Sequence, residues 1–68
     1  MITHNGEQYV TPDEASELLA IHISTVYRWC RNGNVILLDP SELHGEVPSK
    51  YLIEVASLKI RHAQVHLG

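Results

Sequence analysis

Thr25, Arg28 and Arg31 stand three residues apart, the interval that places helical side chains on one face. An arginine fork bonds a guanine edge in two places or clamps a phosphate, and a threonine hydroxyl reaches either a base or a phosphate. Val26, Trp29 and Cys30 interleave with them at i, i+3 and i+4, so one side of the segment is apolar and the other carries the cations. A solvated surface helix would also show such arginines. The two faces are cleanly separated and no acid lies in residues 21–34, so the segment suits either a local cationic contact for nucleic acid or a solvated surface. Ser24, Tyr27 and Asn32 offer further hydroxyl and amide groups to phosphate. Ser24 is equally explained as a helix cap, and Asn32 as part of a C-terminal turn.

Other side chains with chemical potential point elsewhere. Trp29 could stack on an unpaired base, but its spacing with Val26 predicts core packing. Cys30 falls on the same side and reads as a small buried hydrophobe. His62 and His66 are four apart, which would put two imidazoles on one helical face. Two ligands do not close a structural zinc site, and no Cys, Asp or Glu adjoins them, so no metal is expected. There is no glycine-rich phosphate loop and no recognisable nucleophile motif. The paired carboxylates fall on faces that read as solvated. The expectation is a protein without catalysis, cofactor or small-molecule substrate.

The elements that would position these residues can be traced along the chain. Thr11-Pro12-Asp13-Glu14 combines an N-cap, a proline at the first helical position and a capping-box carboxylate. With Ala15, Leu18 and Leu19 as its buried face, a first helix is predicted over about 12–19. Ala20 to Ile23 reads as a tight turn that tucks Ile21 inward. A second helix then starts at His22 or Ser24, spans about 23–32 and ends at Asn32-Gly33-Asn34, Gly33 supplying the left-handed residue. Two short helices joined by a turn of three or four residues make a helix-turn-helix. Val35–Leu38 and Lys50–Val55 are β-prone runs, the second with Tyr51 and Ile53 on one face and Leu52 on the other. Between them Glu42–Ser49 reads as a loop. The pair forms a wing, with Lys50 at its edge as a further phosphate contact. A last helix runs from Ala56 onward with Ser57 as a possible early cap. Residues 1–8 are expected to be a flexible arm. The predicted class is mostly α with a small β-hairpin wing, a single winged helix-turn-helix over residues 1–68.

Composition sets the outer limits. Sixty-eight residues with 44% hydrophobic content suit one small domain with a real core. One cysteine allows no internal disulfide and fits a reducing compartment. No stretch has the length of a membrane span, and the N-terminus lacks the basic start and apolar stretch of a signal peptide; the expectation is a cytoplasmic protein with no membrane partner. The net charge of −3 runs against a nucleic-acid binder, so its distribution matters. Residues 1–20 hold four acids and no Lys or Arg, and residues 35–49 hold Asp39, Glu42 and Glu46. The only purely basic stretch of the first half is the one bearing Arg28 and Arg31. Binding through a local patch on an acidic chain should be modest and weakly steered.

Tyr9-Val10-Thr11-Pro12-Asp13-Glu14-Ala15-Ser16-Glu17-Leu18-Leu19, followed by Thr25-Val26-Tyr27-Arg28-Trp29, resembles the helix-turn-helix of phage excisionases and related MerR-like DNA-binding proteins. Tyr51-Leu52-Ile53 and Ala56-Ser57-Leu58 resemble that family's second wing strand and the start of its last helix. The resemblance implies two helices and a two-stranded wing, with the second helix in the major groove of double-stranded DNA. It also implies an accessory role without catalysis. An excisionase would bind repeated sites as adjacent copies of itself and bias an integrase toward excision, in the cytoplasm of a bacterial host; close relatives act as small transcriptional regulators. A terminase small-subunit DNA-binding domain can share the fold. Two features depart from the family pattern: His22-Ile23 stands where a Ser or Asp cap and a polar residue are usual, and the wing is acidic. Together with the net charge, they favour a rival of a different class, a protein-interaction module with the same fold and little DNA contact.

Overall fold

A computed structural model describes residues 1–43, 45–47 and 50–67. The chain begins with a β-hairpin, β1 (Ile2–His4) and β2 (Glu7–Val10). Its strands are antiparallel, with Ile2 opposite Tyr9 and His4 opposite Glu7. The connection is Asn5-Gly6, both at positive φ (50° and 82°). Two left-handed residues in succession make the tight turn whose twist matches the flanking strands, and Asn-Gly is the pair that adopts it most readily. This corrects the expectation of a flexible arm over residues 1–8. The strands are short, and the adjacent Tyr9 and Val10 are both buried, so they carry little hydrophobic alternation; the turn alone announces them.

α1 (Pro12–Leu19) starts as its capping residues require. The Thr11 hydroxyl accepts from the Glu14 N–H at 3.2 Å, and a Glu14 carboxylate oxygen accepts from the Thr11 N–H at 3.0 Å. The Met1 ammonium lies 2.7 Å from the other carboxylate oxygen. That ammonium, then the Thr11 N–H, holds the Glu14 carboxyl below its usual range. Its share of stability is therefore present at neutral pH and lost as acid protonates it. Thr11→Ala removes one acceptor of this box and should cost about 1 kcal/mol, read as a lower thermal midpoint by circular dichroism.

The helix ends at Ala20, whose φ of 54° is left-handed, a region in which a Cβ costs about 1–2 kcal/mol. The Ile21 N–H reaches back to the Ser16 carbonyl at 3.1 Å, and this closure turns the chain into α2 (Ile23–Asn32). Three residues thus separate the two helices. Ala15 is fully buried, but Leu18 is exposed, contrary to the expected apolar face. The helix has only two turns. Its inward stripe runs from Ala15 to Leu19, and Leu18 falls on the rim beside Met1, Val10, Glu14 and Glu17.

The two β-prone runs pair, but not as a freestanding wing. β3 (Ile53–Glu54) lies against β2, with Tyr9 opposite Glu54 and Val10 opposite Ile53. On its other side β3 meets the first run through a single bridge, Leu37 to Ile53. The Leu38 N–H donates to the Leu52 carbonyl, and the Glu54 N–H to the Ile36 carbonyl, each at 2.9 Å. The expected strand over Lys50–Val55 is therefore shorter, and Val55 already opens α3 (Val55–Leu67). Ser57 is not a cap: from the first turn of α3 its hydroxyl donates to the Glu54 carbonyl and accepts from the Ile36 N–H, tying the first run to the helix. Pro40–Glu42 forms a 3-10 turn started by Asp39, which accepts from the Ser41 N–H at 3.0 Å. The Leu43–Ser49 loop lies only partly within the described residues.

Both faces of this small sheet are covered. Val10, Ala15, Val26, Trp29, Cys30, Val35, Ile53, Val55 and Leu58 form the main core, under all three helices. Tyr9, Leu38 and Leu52 form a second cluster on the other side. Adjacent strand residues point to opposite faces, which is why Leu52 and Ile53, and likewise Tyr9 and Val10, can all be buried at once.

Candidate nucleic-acid interface

α2 carries the candidate site, and its ends are fixed by local chemistry. His22 is the N-cap: its Nδ1 accepts from the Ser24 N–H at 3.1 Å and lies 2.8 Å from the Ser24 hydroxyl. An imidazole nitrogen thus replaces the usual hydroxyl or carboxylate acceptor, and Ser24 serves the cap instead of being it. At the other end Gly33 adopts φ 74°, and the Asn34 N–H returns to the Trp29 carbonyl at 2.9 Å. Arg31 lies in the last turn, where a cation complements the negative end of the helix dipole.

Between these ends the two faces separate as the spacing predicts. Val26, Trp29 and Cys30 are buried in the main core. Burial pushes the Cys30 thiol up from its usual range, in keeping with a small apolar side chain packed in the core. On the outer face Ser24, Tyr27, Arg28, Arg31 and Asn32 are exposed, and Thr25 is half-buried. Ile23 is half-buried too, which withdraws part of the apolar surface that an exposed isoleucine would have offered. Among the described residues, no carboxylate lies within ion-pair distance of Arg28 or Arg31. Both guanidinium groups are available to a ligand.

Lys50 is brought toward this face by two aromatic rings. Its Nζ lies 5.9 Å from the Tyr51 ring centroid. The Tyr51 ring meets Tyr27 of α2 edge to face, with centroids 6.0 Å apart and planes at 67°. Tyr51 is a residue that sequence reasoning treated only as a strand position; its value is to join the wing's base to α2. Asp39 and Glu42, by contrast, are exposed at the two ends of the 3-10 turn. The Ser41 N–H and hydroxyl hold the Asp39 carboxyl below its usual range, so this part of the wing stays negative at neutral pH. Of the residues singled out in the sequence, the structure gathers Ser24, Thr25, Tyr27, Arg28, Arg31 and Asn32 on one helix and places Lys50 on its flank.

Two helices separated by three residues, the second with a buried apolar face and an exposed cationic one, over a small sheet, define a helix-turn-helix protein of the winged kind. Residues 9–59 match the family described as "Helix-turn-helix domain". The chain belongs to this family of excisionase-like and MerR-like small DNA-binding domains. No curated protein and no solved structure matched the chain in the same comparisons. Among the described residues, no helix is long and apolar enough to cross a membrane.

Proposed function

We propose that the protein binds double-stranded DNA by laying α2 in the major groove, with Thr25 and Arg28 at base edges and Arg31 and Lys50 on phosphates. Ser24, Tyr27 and Asn32 flank these and add phosphate contacts. The observation that carries this reading is the exposed Arg28–Arg31 pair, unpaired with any described carboxylate, on a helix whose opposite face is locked into the core. The role is that of an accessory factor without catalysis, first as a phage excisionase acting with an integrase and with further copies of itself on adjacent sites, and next as a small transcriptional regulator. With a net charge of −3, one copy binds modestly, and neighbouring copies would supply the remaining affinity.

Methylation interference tests the groove assignment. A duplex site selected by the protein from a random-sequence pool is methylated sparsely at guanine N7, which lies in the major groove. Molecules methylated at one or two guanines should drop out of the bound fraction. Equal recovery of every methylated guanine would remove the major-groove contact by Arg28. A second reading is supported by the wing: Ile36, Leu37 and Val47 are exposed near exposed Asp39, Glu42 and Glu46. Such a surface suits a protein partner better than a phosphate backbone, and it is compatible with DNA binding by α2 alone.

A further inference from the structure

α3 presents an inward stripe that begins with buried Val55 and Leu58. Three residues beyond Leu58 the stripe continues with Arg61, where the helical repeat calls for an apolar side chain. Its guanidinium carbon lies 5.9 Å from the centroid of the Trp29 ring. Its Nε is buried and has no hydrogen-bond partner among the described residues, and no described carboxylate lies within ion-pair distance. A half-buried cation with no described oxygen partner is held by what lies beneath it, here the face of an indole, the best aromatic surface for a cation. Trp29 also sits in the last turn of α2, where positive charge is favoured by the helix dipole.

We propose that Arg61 is a positioning residue: through its contact with Trp29 it sets the roll of α2, and so where Thr25 and Arg28 meet DNA. Trp29 is the bulkiest of the three side chains that anchor α2, and Arg28 is its immediate neighbour on the outer face. Side-chain atoms lie about 5–6 Å from a helix axis, so a roll of roughly 10° moves them about 1 Å. A working constellation tolerates only about 0.5 Å. The binding consequence rests on the DNA reading above; the effect on Trp29 does not.

Trp29 is the sole tryptophan, so intrinsic fluorescence reports on it directly. Arg61→Met keeps an apolar stem and removes the charge; Arg61→Lys restores a cation. R61M should displace the Trp29 emission maximum and weaken binding to a duplex selected from a random pool by the wild-type protein at least fivefold. The salt dependence should not change, because no phosphate contact is lost. R61K should recover most of both. Arg61→Gln takes the place of R61M if the latter does not fold. An unmoved emission maximum, or no rescue by lysine, would overturn the proposal. A salt slope reduced by about one unit would instead make Arg61 a phosphate ligand. If the wild-type protein binds no duplex, the DNA reading fails, while the emission maxima of the variants still decide whether Arg61 holds Trp29.

Discussion

Arg28→Ala should weaken binding to a selected duplex by roughly 5- to 150-fold, the range set by about 1–3 kcal/mol for an arginine contact to a guanine edge. The same substitution should leave stability within about 0.5 kcal/mol of wild type, because Arg28 is exposed and unpaired among the described residues and surface changes of this kind are nearly neutral. Selection repeated with the variant should also return a degenerate base at one or two positions of the site. A gel-shift titration beside a thermal melt separates the two effects. Unchanged affinity at an unchanged melting temperature would exclude Arg28 from the interface.

The largest stability effect should come from the core beneath α2. Leu58 is fully buried in the main core, and removing such a side chain costs about 2–5 kcal/mol, according to how far the cavity can collapse. The total stability of a chain this short is about 3–10 kcal/mol. Leu58→Ala should therefore lower the melting temperature by roughly 10 °C or more and leave a sizeable unfolded fraction at 37 °C. A midpoint within a few degrees of wild type would mean that α3 is not integral to the core. In that case it could not hold Arg61 against Trp29 either.

Helix positions were readable in the sequence wherever a specific backbone need had a specific residue to meet it. Thr11, Pro12 and Glu14 fixed the start of α1, and Gly33 fixed the end of α2. The cationic face of α2 followed from its spacing alone. The hairpin is marked in the sequence by Asn5-Gly6 alone, because its strands have only three and four residues and the adjacent Tyr9 and Val10 are both buried, so no alternation of apolar and polar side chains shows. Leu18 and Leu19 both fit the apolar spacing from Ala15, but Leu19 packs on the main core while Leu18 stays exposed on the rim. The doubly covered sheet was not foreseen for a related reason. Alternation over Tyr51–Ile53 suggests one buried face, whereas the main core takes Ile53 on one face of the sheet and the second cluster takes Leu52 on the other. His22 as a cap and Arg61 as a partner of Trp29 depend on tertiary distances that no local pattern encodes.

The salt dependence of DNA binding tests the central claim most directly. Fluorescence anisotropy with a random-sequence duplex, titrated at about 50 and 200 mM salt, measures it without knowledge of the site. Two phosphate contacts, from Arg31 and Lys50, predict a logarithmic slope of about −2, and so a loss of affinity of roughly 10-fold across that range. Arg28→Ala should weaken the binding at both concentrations. Absence of binding at low salt, or an affinity that does not change with salt, would contradict a DNA-reading α2 and turn the assignment toward a protein partner.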